Sequence, residues 1–171
     1  QETLFERERT DKVDVVGWER DGLVTATPGK VIDQDAIKFK LLSLAKEFEV
    51  IEIPMDPHNA TKLQTELMAH GLPVVNHPQG WISMSPAIKA TEILILSEKL
   101  VHDGNPVLRW MFGNVALEIS SRDNRSFHKG KSTDRIDGQV ALAMAIGRSQ
   151  ASEGPSIYES RGLVVIGGDP E

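Results

Sequence analysis

Cysteine is absent from the 171 residues, which excludes disulfides and thiolate metal sites and is compatible with a reducing compartment. No apolar run reaches the roughly 18 residues that a membrane-spanning helix needs, so no membrane partner is expected. An initiating Met is also missing. The opening stretch, Gln1–Arg9, is polar and charged, unlike a signal peptide, and the expectation is a piece of a longer chain, monomeric by itself. Positive charge is in deficit too: the net charge is −6, which taken alone argues mildly against binding a phosphate backbone.

What is present suits one folded domain. Apolar residues make up 40% of the chain, enough for a sizeable core at this length. There is no internal repeat and no low-complexity tract. The runs VDVVGW (13–18) and GLVTAT (22–27) are β-rich and predict a hairpin or two strand ends. TPGKVID (27–33) reads as a turn, and Asp33 as the cap of a helix over 35–48, with Ile37, Leu41, Leu44, Ala45 and Phe48 at helical spacing. VIEIP (50–54) predicts a strand buried on both faces. A helix over 59–70 follows, ended by Gly71, and then a short strand over 72–77. Ser85-Pro86 predicts a helix start running to Val101. Periodicity leaves 105–120 open between helix and strand. The last helix is expected over 134–149. The domain is placed at 1–150, with a tail at 151–171 in which GLVVIGG could pack or pair. Strands alternating with helices imply an α/β domain with a partly parallel sheet, whose ligands gather at the carboxyl ends of strands.

Asp56 stands at such an end, in EIPMDPHNATKL (52–63). Two readings are open. It can cap the following helix with Pro57 at the first helical position, or it can present a carboxylate to a hard divalent cation. Asp134 and Asp137 fall near the start of the last helix, where the dipole favours a carboxylate. Asp134 fits capping. Asp137 fits it less well: it reads as a turn inside the helix, before Gly138, in register with core-facing Val140, Ala141 and Met144. An acid on an apolar face needs a partner or a metal.

Between residues 122 and 135 the sequence RDNRSFHKGKSTDR gathers Arg122, Arg125, Lys129, Lys131 and Arg135 against Asp123 and Asp134. It is either a solvated loop or a phosphate-binding patch. GKST (130–133) resembles the end of a P-loop, but the Gly required five positions before Gly130 is Arg125, so no nucleotide site is expected. None of the histidines (His58, His70, His77, His102, His128) pairs with another at i, i+4, and each reads as structural or superficial.

Taken in order, GWERDGLVTATPGKVID, MDPHNATKLQTELMAHG, QGWISMSPAIKATEILILSEKLVHDGNPVLRWMFGN, DNRSFHKGKSTDRIDGQVALAMAIG and SIYESRGLVVIG resemble the nuclease domain of the large terminase subunit of tailed bacteriophages. The resemblance covers nearly the whole chain. It implies a ribonuclease H-like fold, with a mixed central sheet flanked by helices. It implies an endonuclease that cuts concatemeric viral DNA before and after packaging, using two divalent ions, Mg²⁺ or Mn²⁺, in the cytoplasm of a bacterial host. Its partners would be double-stranded phage DNA, the terminase ATPase domain, the small terminase subunit and the portal protein.

The family's aspartate after the central strand falls on Asp56 and its C-terminal helix aspartate on Asp137, with Asp134 a secondary metal candidate. Asn114, in WMFGN, matches a recurrent family position without an obvious role. Arg125, Lys129, Lys131 and Arg135 become candidate DNA contacts, because they precede Asp137 and could hold the scissile strand's phosphates. Two departures stand out. The family's first-strand aspartate has no evident counterpart, although Asp14 in KVDVVGW alternates with apolar residues and could stand in, and the N-terminal strand or strands look to be missing. The family's P-loop motor is absent as well. A competing reading is therefore an inert DNA-binding or portal-docking module. An unrelated α/β structural domain would leave the motif order unexplained.

Overall fold

The computed structural model describes residues 3–28, 32–58, 60–128 and 130–152. Helices dominate. In chain order the elements are α1 (Leu4–Asp11), α2 (Val15–Arg20), α3 (Gln34–Glu47), β1 (Ile53–Met55), α4 (Thr61–Ala69), β2 (Val74–Asn76), α5 (Trp81–Leu96), α6 (Pro106–Gly113), β3 (Leu117–Ile119), β4 (Arg125–Phe127) and α7 (Asp137–Ser152). The expected single mixed central sheet is not what the described residues form. They make two separate two-stranded sheets, β1 parallel to β2 and β3 antiparallel to β4.

The core lies between α5 and α7. Met84, Ala87 and Ile88 from α5 pack with Val140, Ala143 and Met144 of α7 and with Ile136 just before it; Val115, Leu117 and Phe127 close one side. Gly147 lets the two helices meet: a Cβ there would lie 2.7 Å from the Cβ of Ala87. A mid-helix glycine costs about 1 kcal/mol relative to alanine, so its place here follows from the close approach it permits.

Several local expectations hold. Asp33 caps α3, its carboxylate accepting the Asp35 N–H at 2.9 Å. Where periodicity left helix and strand open, Asn105 caps α6 with Pro106 next, and its side-chain oxygen accepts the N–H groups of Val107 and Leu108. The open stretch 105–120 thus divides into helix α6 and strand β3.

Others fail for identifiable reasons. VDVVGW is not a strand: Asp14 caps α2 by accepting the Gly17 N–H at 2.7 Å, and Trp18 packs its ring on Trp110 of α6 at 5.6 Å. Leu23 and Val24 donate back to the Trp18 carbonyl, so GLVTAT begins as the closing turn of α2. Residues 29–31 of the expected turn lie outside the described residues, as do Lys129 and residues 153–171, which hold GLVVIGG.

Helix α5 begins at Trp81, and Pro86 sits inside it. Proline offers no N–H to the Ile82 carbonyl, and Ile82 is 93% exposed, so water can take that carbonyl. Ser85 is buried instead of capping, and its hydroxyl oxygen accepts the Arg125 N–H at 3.0 Å. The helix stops at Leu96, short of Val101, because Glu98 turns into the left-handed region (φ 57°) and the N–H groups of Lys99 and Leu100 fold back to Leu94.

Strand β1 is half-buried, and Ile51 before it is exposed, against the expectation of burial on both faces. The β1–β2 pair nonetheless meets two helices, α7 at β1 and α4 at β2. Glu52 takes a two-point bond from Arg148 of α7, at 2.6 and 2.8 Å, and α7 packs on β1. On the other side, Gln64 of α4 donates to Asn76 of β2 at 3.4 Å. Lys38 of α3 bridges to Glu66 of α4 at 2.7 Å.

The Arg148 hydrogen bond holds the Glu52 carboxyl below its ordinary value of 4.5, with partial burial opposing. A folded-state value below the unfolded one means that acid drives protons preferentially onto the unfolded chain. The pair's contribution is complete above the unfolded value and is lost as pH falls through the folded one. The difference in melting temperature between the chain and Glu52→Gln should therefore be largest near neutrality and vanish in acid, as read by thermal melts across pH. Gly147→Ala should lower stability by about 1–3 kcal/mol through overpacking, despite alanine's better helix propensity. Denaturant unfolding measures this, and Ala87→Gly added to it should restore part of the loss.

Candidate nuclease site

The parallel pair β1–β2 runs in register, Ile53 opposite Val74, Pro54 opposite Val75 and Met55 opposite Asn76. The His77 N–H donates to the Met55 carbonyl at 2.8 Å and completes the last pair, after which the two strands lead into Asp56 and His77 respectively. Asp56 does not cap α4. That helix starts five residues later at Thr61, with Ala60 in the cap position and no side-chain bond. Instead Asp56 accepts the His58 N–H at 3.0 Å, a local turn that leaves the helix start free of it. Alternation continued one residue past each end of β1 would put Asp56 on the face shared by Glu52 and Pro54. Glu52 reaches α7 from that face.

Asp137 is the first residue of α7, not a residue one turn inside it. It is exposed, as is Ala141, while Val140, Ala143 and Met144 form the buried face. The expected alignment of Asp137 with the core is therefore corrected by a three-residue shift in the helix start. Asp134 accepts the Arg135 N–H at 2.8 Å and belongs to the turn before the helix.

The segment leading to Asp137 is fixed from α6. The Asn114 side-chain oxygen accepts the Thr133 hydroxyl at 3.1 Å, its amide donates to the Arg135 carbonyl at 3.2 Å, and its backbone carbonyl accepts the Thr133 N–H at 3.3 Å. Further on, the Gly138 N–H meets the Met111 sulfur at 3.2 Å, and the buried Gln139 amide donates to the Leu108 carbonyl at 3.0 Å. Asn114 thus acquires a physical role. It pins residues 133–135 and, through them, the start of α7.

The basic residues divide. Arg125 is committed inside the chain, its guanidinium paired with Glu92 and lying 3.5 Å from Asp123, which also holds Lys89 at 2.8 Å. Arg135 lies 3.8 Å from Asp11 at the end of α1. Lys131 is exposed, and only its backbone N–H is engaged, by His128. Asp14, spent on capping α2, stands on no strand.

Among the described residues, no three of His, Asp and Glu come together as a metal-holding group. The donors at the strand end do suit a divalent ion in kind: a half-buried carboxylate at Asp56, and at His77 a buried imidazole nitrogen, Nδ1, without a hydrogen-bond partner. Sequence reading passed over His77 because isolated histidines carry no ligand pattern. One signal was present: it follows VVN just as Asp56 follows IPM.

The family described as terminase large subunit, endonuclease domain, matches residues 1–153. The chain belongs to that family. Its similarity to the terminase large subunit of Enterobacteria phage HK97 is 32% identity over 149 residues, which is 86% of this chain and 30% of the relative. Protein YmfN of Escherichia coli (strain K12) is 35% identical over 138 residues, 80% of this chain and 30% of the relative. The crystal structure of the HK97 bacteriophage large terminase superposes with a TM-score of 0.80 at 32% identity, covering 86% of this chain and 31% of that one. The chain thus spans about a third of the length of these relatives. No described helix of this terminase domain is long and apolar enough to cross a membrane.

Asn114→Ala should cost about 1–2 kcal/mol, the sum expected for two neutral hydrogen bonds. It should also speed amide exchange at Thr133 and its neighbours, read by hydrogen–deuterium exchange. Asn114→Asp keeps the acceptor for Thr133 but loses the donor to Arg135, and should fall between the two.

Proposed function

We propose that this chain is the catalytic part of a divalent-metal-dependent endodeoxyribonuclease with a ribonuclease H-like arrangement, cutting concatemeric phage DNA during genome packaging. The observation that carries the proposal is Asp56, free of the helix-capping role that was its alternative and set at the carboxyl end of a parallel strand pair beside α7. Open α/β sheets collect ligands at such ends.

The Glu52–Arg148 pair marks where β1 starts against α7. From Glu52 to Asp56 the strand advances about 13 Å, and from Arg148 back to Asp137 the helix spans about 16 Å. A strand laid antiparallel along the helix would carry Asp56 towards the end that bears Asp137. In this reading Asp56 and Asp137 hold Mg²⁺ or Mn²⁺, with Asp134 nearby, and further donors come from parts of a longer protein outside this chain. Divalent ions supply such a site with an activated water and with neutralisation of charge at the leaving oxygen.

The chain's own side chains bind and orient the DNA. Lys131 and Arg135, with Lys129, stand just before α7 and would contact phosphates, positioning the strand without reading its sequence. Arg125 supports the β4 edge from inside through Glu92. The ATPase domain, the small terminase subunit and the portal are the partners expected in the complete packaging machine.

The test is Mn²⁺-dependent cleavage of supercoiled plasmid by this chain, or by the longer protein that carries it if the chain alone is inert. Asp56→Ala and Asp137→Ala should each reduce cleavage by more than about 100-fold, beyond the usual cost of losing a metal's outer-shell partner. Cleavage undiminished in both variants would overturn the assignment. A longer protein that binds DNA without cutting it would favour an inert DNA-binding or docking module.

A further inference from the structure

We propose that His77 donates its Nδ1 to the divalent ion held by Asp56, so that the site is a mixed carboxylate–imidazole site with no need to be all-oxygen. The inference deepens the nuclease reading and rests on its assignment of Asp56 as a ligand.

Three observations carry it. First, His77 is only 7% exposed, and its Nδ1 is closed to solvent with no hydrogen-bond partner among the described residues. Leaving such an atom unpaired forfeits its solvation without return, so a buried orphan nitrogen calls for a missing partner. Second, the bond from the His77 N–H to the Met55 carbonyl belongs to the last pair of the parallel register, Met55 with Asn76, so Asp56 and His77 are the residues that leave that pair on the two strands, and the register continued by one residue would make them neighbours. Adjacent strands lie about 4.8 Å apart, and laterally paired residues point to the same face. Third, the remaining polar group of this strand end is already satisfied. The Asn76 side-chain oxygen accepts from Gln64 on the opposite face, towards α4. Alternation continued by one residue would then place the His77 ring and the Asp56 carboxylate on the face that Glu52 presents to α7.

A metal is the partner that suits both. A neutral imidazole and a carboxylate both donate lone pairs, and neither can satisfy the other without a proton or a cation between them. Imidazole also favours later transition ions over Mg²⁺, which is content with oxygen. Such a site should bind Co²⁺ and Mn²⁺ with a contribution from nitrogen, and His77 should matter more for these ions than for Mg²⁺.

The direct test is electron spin-echo envelope modulation of Mn²⁺ added to the chain, which detects nitrogen bound to manganese independently of any cleavage. Nitrogen modulation is expected in the chain, retained in His70→Asn and lost in His77→Asn and Asp56→Ala. Calorimetric titration should show Co²⁺ affinity reduced about tenfold or more by His77→Asn, with a smaller change for Mg²⁺. If Mn²⁺ binds and Asp56→Ala releases it, yet the unmodified chain shows no nitrogen modulation, His77 is a structural imidazole and the proposal fails while Asp56 keeps its role. Modulation that persists in His77→Asn assigns the nitrogen elsewhere and also overturns it. If the chain alone binds no Mn²⁺, the spectrum is taken on the longer protein that carries it, and no Mn²⁺ binding there removes both the His77 and the Asp56 assignments. Absence of nitrogen modulation with Mn²⁺ bound overturns the proposal even if a variant fails to fold.

Discussion

The contact of α5 with α7 is the constraint on which the rest of the chain depends. Seven buried residues of the core cluster come from these two helices and the residue before α7. Everything of functional interest is then hung from α7. Arg148 near its end secures β1, Gln139 near its start secures α6, and the turn before it is secured by Asn114. The sheets are too small to organise the domain themselves, since two isolated three-residue pairs have little intrinsic stability. They are held in place by helices, an inversion of the usual picture of helices laid on a sheet.

This arrangement explains which features could be read from the chain and which could not. Local chemistry was legible where it was self-sufficient. Asp33 is a helix start in any context, and the spacing of the last helix placed Val140 and Met144 in the core, although Ala141 is exposed and Ala143 is buried instead. The failures lie where tertiary contacts decide. VDVVGW has strand-forming residues, yet a capping aspartate and the Trp18–Trp110 contact make it helical. Ser85-Pro86 has the form of a helix start, yet Ser85 is more useful as an acceptor for β4.

The site shows the same division. That Asp56 follows a strand was visible in the sequence; that it does not cap α4 was not, because nothing local dictates a helix start delayed to Thr61. Asn114 was noticed only through family resemblance, and its bonds reach residues 19 and 21 positions away. His77 draws its interest from burial and from an unpaired nitrogen, neither of which a sequence displays.

The internal commitment of Arg125 has a consequence for thermodynamics in salt. Each phosphate neutralised on duplex DNA releases condensed counterions and steepens the fall of log affinity with log salt by about 0.9. A guanidinium already compensated by Glu92 and Asp123 releases almost none. The three charges proposed for phosphate, Lys129, Lys131 and Arg135, the last already 3.8 Å from Asp11, bound the slope at about −2.7. Under the proposed function, so small a contribution of charge would let DNA slide past this domain and be gripped only where the chemistry of the strand end takes hold.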